Sequence, residues 1–96
     1  MSLRFTDLSR IGALMARLRG RPPEGFAFED LRPEADVVRL TAEGVRVVVR
    51  PSGTEPKLKA YLEVVEPVAD DLPAARVRAR DRLAALRAQV SELLAV

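Results

Sequence analysis

The chain has 96 residues, 48% of them hydrophobic, with 16 basic and 14 acidic side chains, and these values suit one small folded domain. It contains no cysteine and no histidine, which excludes disulfide bonds, thiolate metal sites and imidazole acid–base chemistry within it. The charge is nearly balanced and no apolar run approaches the about 20 residues of a membrane span, so neither nucleic-acid nor membrane binding is indicated, and a cytoplasmic location is expected.

The first predicted element is an amphipathic helix over residues 7–19. Its apolar residues recur at helical spacing, at Leu8, Ile11, Leu14, Met15 and Leu18. Thr6 and Asp7 are candidate N-caps, and Gly20 followed by two prolines ends the pattern. No element is predicted before this helix, where Met1-Ser2-Leu3 fits an expression remnant.

Four short strands follow in succession. Apolar and polar residues alternate over residues 26–29, 37–40, 45–50 and 57–64, with turn-forming residues between them. One face carries valine, leucine and alanine. The opposite face carries Arg39, Arg46, Lys57, Lys59 and Tyr61. Short connections between consecutive strands favour a largely antiparallel sheet.

A second helix is predicted over residues 72–95. Asp70 or Asp71 can cap it, and Pro73 suits its first turn. Its mostly helical apolar spacing uses Val77, Leu83, Leu86, Val90, Leu93 and Leu94. The whole chain is therefore predicted to be a single α+β domain, residues 1–96, in the order α-β-β-β-β-α, with two helices on one face of a four-stranded, mostly antiparallel sheet.

The stretch from Arg50 to Lys57 joins the third and fourth predicted strands and has the composition of an anion-binding loop. Gly53 has no Cβ and can adopt positive φ, which lets backbone N–H groups approach a ligand and form a concave anion site. Ser52 and Thr54 add hydroxyl donors, and the Arg50 guanidinium matches two phosphate oxygens. A plain hairpin connection explains the same composition about equally well.

The segment Arg-Pro-Ser-Gly-Thr-Glu-Pro-Lys-Leu-Lys, from Arg50 to Lys59, resembles the phosphate-binding signature of the α-D-phosphohexomutases, which include phosphoglucomutases and phosphomannomutases. The resemblance covers roughly residues 36–65. It implies that the chain is the C-terminal domain of a longer, four-domain enzyme, and that its fold is of the TATA-binding-protein type, with helices on one face of a sheet. That fold carries no implication for DNA binding.

The resemblance also implies a function for the loop. Phosphohexomutases are isomerases that move a phosphoryl group between two hydroxyls of one sugar, and their C-terminal loop holds the phosphate that is not reacting. The implied phosphate-binding residues are Arg50, Ser52, Gly53 and Thr54, and Lys59 is added from its charge and proximity. Glu55 is expected to brace the loop, for instance by accepting backbone N–H bonds, since its carboxylate would repel a phosphate. Direct contact with a sugar hydroxyl is the alternative role.

The chain departs from the whole family in one respect. It contains no phosphoserine segment, no aspartate-rich magnesium loop and no sugar-reading glutamate loop. The chain is then either an excised domain of a longer enzyme or a stand-alone phosphate-binding relative. We expect the excised domain, with no catalytic residue, no cofactor bound by the chain itself and no activity alone. Mg²⁺ is expected to bind to other domains of the parent enzyme. The expected partners are those domains and a phosphosugar, with no nucleic acid and no membrane.

One alternative function comes from a different class. Arg39, Arg46, Lys57 and Lys59 on the polar sheet face would also suit a small basic adaptor that binds RNA or a protein partner. In that case RNA affinity should fall steeply with salt.

Overall fold

The computed structural model describes residues 2–4, 8–68 and 71–94 of the chain. The candidate caps Thr6, Asp7 and Asp70 lie outside the described residues. In chain order the elements are β1 (Ser2–Arg4), α1 (Leu8–Gly20), β2 (Ala27–Asp30), β3 (Val38–Ala42), β4 (Val45–Pro51), β5 (Lys57–Val64) and α2 (Leu72–Leu94).

The strands form one sheet in the order β1-β5-β4-β3-β2, and every neighbouring pair is antiparallel. The predicted α+β fold is confirmed, with its four consecutive strands and two helices. One edge strand was not predicted: β1 pairs with the start of β5, and Arg4 lies opposite Lys57. Three residues are too few to show a strand's alternation, so the sequence pattern carried no signal for β1.

The core lies between the sheet and both helices. Because alternate strand residues point to opposite faces, β3, β4 and β5 each place a row of small and branched apolar side chains toward the helices. The buried cluster consists of Ile11, Leu14, Met15 and Leu18 of α1, Val38 and Leu40 of β3, Val47 and Val49 of β4, Leu58 and Ala60 of β5, and Leu86, Val90 and Leu94 of α2. The opposite face was predicted to be polar, and Arg46, Arg50, Tyr61 and Glu63 on it are exposed.

The predicted apolar stripe of α2 is wrong at two positions. Val77 and Leu83 are 46% and 40% exposed, whereas Ala75 is buried. Residues two apart on a helix point in nearly opposite directions, so the burial of Ala75 turns Val77 toward solvent. Neither α1 nor α2, over the residues described, is long and apolar enough to cross a membrane.

The turn between β3 and β4 fixes the position of α2. Gly44 has φ +69°, and a Cβ added there would lie 2.7 Å from the backbone oxygen of Val65. Arg82 of α2 donates to the backbone oxygen of Glu43 and pairs with Glu66 at 3.3 Å. These contacts hold α2 against the turn between β3 and β4, at the opposite end of β4 from residues 52–56.

Candidate anion-binding loop

Residues 52–56 connect β4 to β5 and make the tight bend that the sequence predicted, here named the β4–β5 loop. The Ser52 N–H donates to the Lys57 carbonyl at 2.9 Å, and the Lys57 N–H donates to the Glu55 carbonyl at 2.7 Å. These two bonds close the loop at its base. Its tip, including Gly53 and Thr54, is exposed to solvent.

Backbone amides inside the loop converge on one oxygen atom. The Thr54 and Glu55 N–H groups both point at Ser52 Oγ, over 3.5 Å and 3.3 Å. Both contacts are longer than the about 2.7–3.2 Å of ordinary N–H···O bonds, so they are weak. Because the Ser52 hydroxyl accepts from these amides, its own hydrogen can point elsewhere. The loop thus groups two amides and a hydroxyl that an anion could recruit.

Gly53 differs from the sequence expectation in its backbone conformation. Its φ is not positive, and a Cβ added there would have no heavy atom within 4 Å. Neither the loop conformation nor local crowding therefore requires glycine. What glycine provides at this tip is open access to the backbone.

Arg50 and Lys59 lie directly opposite each other on β4 and β5, on the polar face of the sheet. Neither has a carboxylate within salt-bridge distance among the described residues. Like charges directly across a strand pair repel each other and destabilise the pair. The sheet therefore carries two cations without an ion-pair partner at the base of the loop, although Lys59 is near enough to Glu55 for its charge to lower the pKa of that carboxyl.

Tyr61 contacts Arg50, a contact that the sequence analysis did not anticipate. The Arg50 Nη2 donates to Tyr61 Oη at 3.1 Å, and the guanidinium carbon lies 5.5 Å from the ring centroid. The hydrogen bond from Arg50, with the charges of Arg50 and Lys59, lowers the pKa of the Tyr61 phenol. The sequence held one signal for this contact: Tyr61 follows Lys59 by two positions, so the two side chains lie on the same face of β5.

Glu55 holds the loop to the sheet through cations. Its carboxylate lies 3.2 Å from Lys57 Nζ and 3.2 Å from Arg4 Nη2. The hydrogen bond from Lys57 and the neighbouring positive charges lower the pKa of the Glu55 carboxyl. These contacts agree with a bracing role, although its partners here are side-chain cations and not backbone N–H groups. The ion pair with Glu55 also compensates the charge of Lys57, which therefore differs from Arg50 and Lys59.

The remaining arginines of the polar face are paired. Arg39 binds Glu29 and Arg46 binds Glu63, each at 2.9 Å. Of the four cations that motivated the adaptor hypothesis, only Lys59 lacks a carboxylate partner among the described residues. Uncompensated positive charge on this face is therefore concentrated at the loop end.

The part of the chain that the structure describes contains no group of three or more Asp, Glu, His or Cys side chains that could hold a metal ion. A Mg²⁺ ion prefers several oxygen ligands in octahedral geometry. The described residues therefore do not fit a magnesium site.

Comparisons with known proteins agree with the loop motif. The family model described as "Phosphoglucomutase/phosphomannomutase, C-terminal domain" matches residues 4–80. A protein of Haemophilus influenzae named "Probable phosphomannomutase" is 40% identical over 73 residues, which cover 66% of this chain and 15% of that protein. The chain thus corresponds to a small part of that relative's length. No solved structure gives a significant match.

Proposed function

The chain belongs to the phosphoglucomutase/phosphomannomutase family as a C-terminal domain, and on that premise we propose that its β4–β5 loop and adjoining strand ends bind the phosphate group of a sugar phosphate. The proposed ligands are Arg50, Ser52, Gly53, Thr54 and Lys59. The domain would act within a longer enzyme, whose other domains are its partners and carry the Mg²⁺ and the transferred phosphoryl group.

The observation that carries this proposal is the Arg50–Lys59 pair. The two cations lie on adjacent strands, directly opposite each other and on the same face of the sheet. Beside them is a loop whose hydroxyl and amide groups form only weak hydrogen bonds. A phosphate dianion placed between them would convert their mutual repulsion into attraction for a common ligand. Hydrogen bonds to charged groups contribute about 1.5–3 kcal/mol each, so a few of them suffice for specific binding.

The proposed role is to hold the phosphate that is not being transferred. Contacts to a remote, unreactive group of the substrate can orient the reacting hydroxyl and lower the barrier to phosphoryl transfer. In this scheme the chain's own residues bind and orient the sugar phosphate, and none of them forms or breaks a covalent bond. Loss of the site should therefore reduce kcat/KM of the whole enzyme without removing its chemistry.

The direct test is a titration of the chain with inorganic phosphate at constant ionic strength, monitored through the amide NMR signals of Arg50 and of residues 52–55. We expect saturable shifts in the wild type and none in Arg50→Ala. Arg46→Ala is the matched control, because Arg46 lies on the same strand and face but is paired with Glu63 at 2.9 Å. A well-dispersed wild-type spectrum that phosphate leaves unchanged would refute the proposal.

The adaptor hypothesis is tested separately by a gel shift with RNA at low salt. The pairing of Arg39, Arg46 and Lys57 with carboxylates leaves little free charge to follow a nucleic-acid backbone. We expect no shift in mobility. Salt-sensitive RNA binding that Arg39→Ala weakens would support the adaptor instead.

A further inference from the structure

We propose that Tyr61 is a positioning residue for the phosphate site: its hydroxyl and ring restrain the Arg50 guanidinium on the polar face of the sheet. This inference rests on the proposed phosphate-binding function. It adds a residue to that site whose side chain acts through Arg50.

The register of the sheet makes this contact possible. Tyr61 lies opposite Val48, and Arg50 lies two residues further along β4 on the same face, so the two side chains are diagonal neighbours. Arg50 donates one hydrogen bond to the phenol at 3.1 Å, and its guanidinium carbon lies 5.5 Å from the ring centroid, within cation–π range. Two different contacts therefore restrain one guanidinium.

Restraint matters because Arg50 is exposed and none of the described carboxylates pairs with it. A free arginine side chain loses considerable rotamer entropy when a ligand fixes it. With one N–H engaged by Tyr61, the side chain is already ordered and most of its N–H groups remain for an anion. The phenol should thus raise phosphate affinity although it need not touch phosphate.

A purely structural role for Tyr61 does not fit its surroundings. Its side chain is 48% exposed and does not belong to the buried cluster. Replacing it should therefore leave thermal stability nearly unchanged. Tyr61 is also the only tyrosine of the chain, so its ionisation can be followed by absorbance without interference from another phenol.

Ionisation of the Tyr61 phenol and binding of phosphate should affect each other, because both depend on the charges of Arg50 and Lys59. Both cations favour the phenolate, and a bound phosphate would partly neutralise them. Saturating phosphate should therefore raise the pKa of the phenol toward its ordinary value. By reciprocity, ionisation of the phenol should weaken phosphate binding.

The experiment measures phosphate affinity of the full chain by NMR in wild type, Tyr61→Phe and Tyr61→Leu, together with the unfolding temperature and the phenol pKa. Phe removes the hydroxyl and keeps the ring, whereas Leu removes both. We expect affinity to fall by about two- to tenfold in Tyr61→Phe and further in Tyr61→Leu, with unchanged unfolding temperatures. The phenol pKa should rise with phosphate and in Arg50→Ala.

The outcomes separate this inference from the function on which it rests. If the wild type binds phosphate and Tyr61→Phe binds equally or more tightly, Tyr61 does not position Arg50 and only this inference fails. A phenol pKa that Arg50→Ala leaves unchanged would overturn the contact itself. If the wild type does not bind phosphate, the proposed function fails and this inference fails with it.

Discussion

The opposed cations Arg50 and Lys59 predict that a substitution can stabilise the free domain while it weakens phosphate binding. Lys59→Gln removes one of the two charges and keeps a side chain of similar length. Because Lys59 has no carboxylate within salt-bridge distance among the described residues, its removal breaks no ion pair there and relieves repulsion with Arg50 directly opposite. We expect this relief to exceed the loss of the longer-range attraction between Lys59 and the Glu55 carboxylate. The ligand-free variant should therefore be more stable than the wild type.

The expected size follows from the cross-strand geometry. Interactions between directly opposed side chains contribute about 0.2–1 kcal/mol, and for a domain of this size that corresponds to an increase of about 1–8 °C in unfolding temperature. Thermal unfolding at about 10 mM salt measures this difference. At about 1 M salt the Debye length is near 3 Å, so the difference should disappear.

Phosphate should reverse this order and make the wild type more stable than Lys59→Gln. A ligand that binds only the folded state adds RT ln(1 + [L]/Kd) to the free energy of unfolding, about 2.7 kcal/mol at a hundredfold excess over Kd. Titrated at constant ionic strength, the wild type should therefore gain more in unfolding temperature than Lys59→Gln.

The matched control is Lys57→Gln, on the same strand and face. Lys57 pairs with Glu55 at 3.2 Å, so its loss should destabilise the ligand-free domain or leave it unchanged. A Lys59→Gln variant that is less stable than the wild type at low salt would show that Arg50 and Lys59 do not repel each other appreciably. An equal rise in the unfolding temperature of both proteins with phosphate would contradict the role of Lys59 in phosphate binding.

Three further predictions follow from the same structure. In the complete enzyme, Arg50→Ala should lower kcat/KM more than tenfold, since hydrogen bonds to charged groups contribute about 1.5–3 kcal/mol each; normal turnover would contradict this. Gly53→Ala should fold normally and bind phosphate more weakly in the NMR titration, whereas Gly44→Ala should lose about 1–3 kcal/mol in denaturant unfolding because of its φ of +69°. The Arg32 side chain holds the pKa of Asp30 at about 2, below its usual 3.8. The stability that Asp30 contributes is therefore present above pH 3.8 and lost as the pH falls toward 2. The free energies of unfolding of wild type and Asp30→Asn should differ at neutral pH and converge in acid. A difference that stays constant with pH would contradict this role of Asp30.

The sequence by itself determined the two helices, the four consecutive strands and the loop. Their signals are local: apolar residues recur at helical spacing from Ile11 to Leu18, valines alternate through β4, and the Arg50–Lys59 motif identifies the family. The polar face of the sheet could also be read from alternation, since residues two apart on a strand share a face.

The tertiary structure alone decided which charges on that face are compensated. Whether a lysine or arginine finds a carboxylate depends on strand register and on residues far away in sequence, as when Arg4 reaches Glu55 across 51 positions. The same register leaves Arg50 and Lys59 opposite each other and brings Tyr61 against the guanidinium. Ion pairs and hydrogen bonds form only when the side-chain atoms lie within a few ångströms of each other, and only the folded sheet sets those distances.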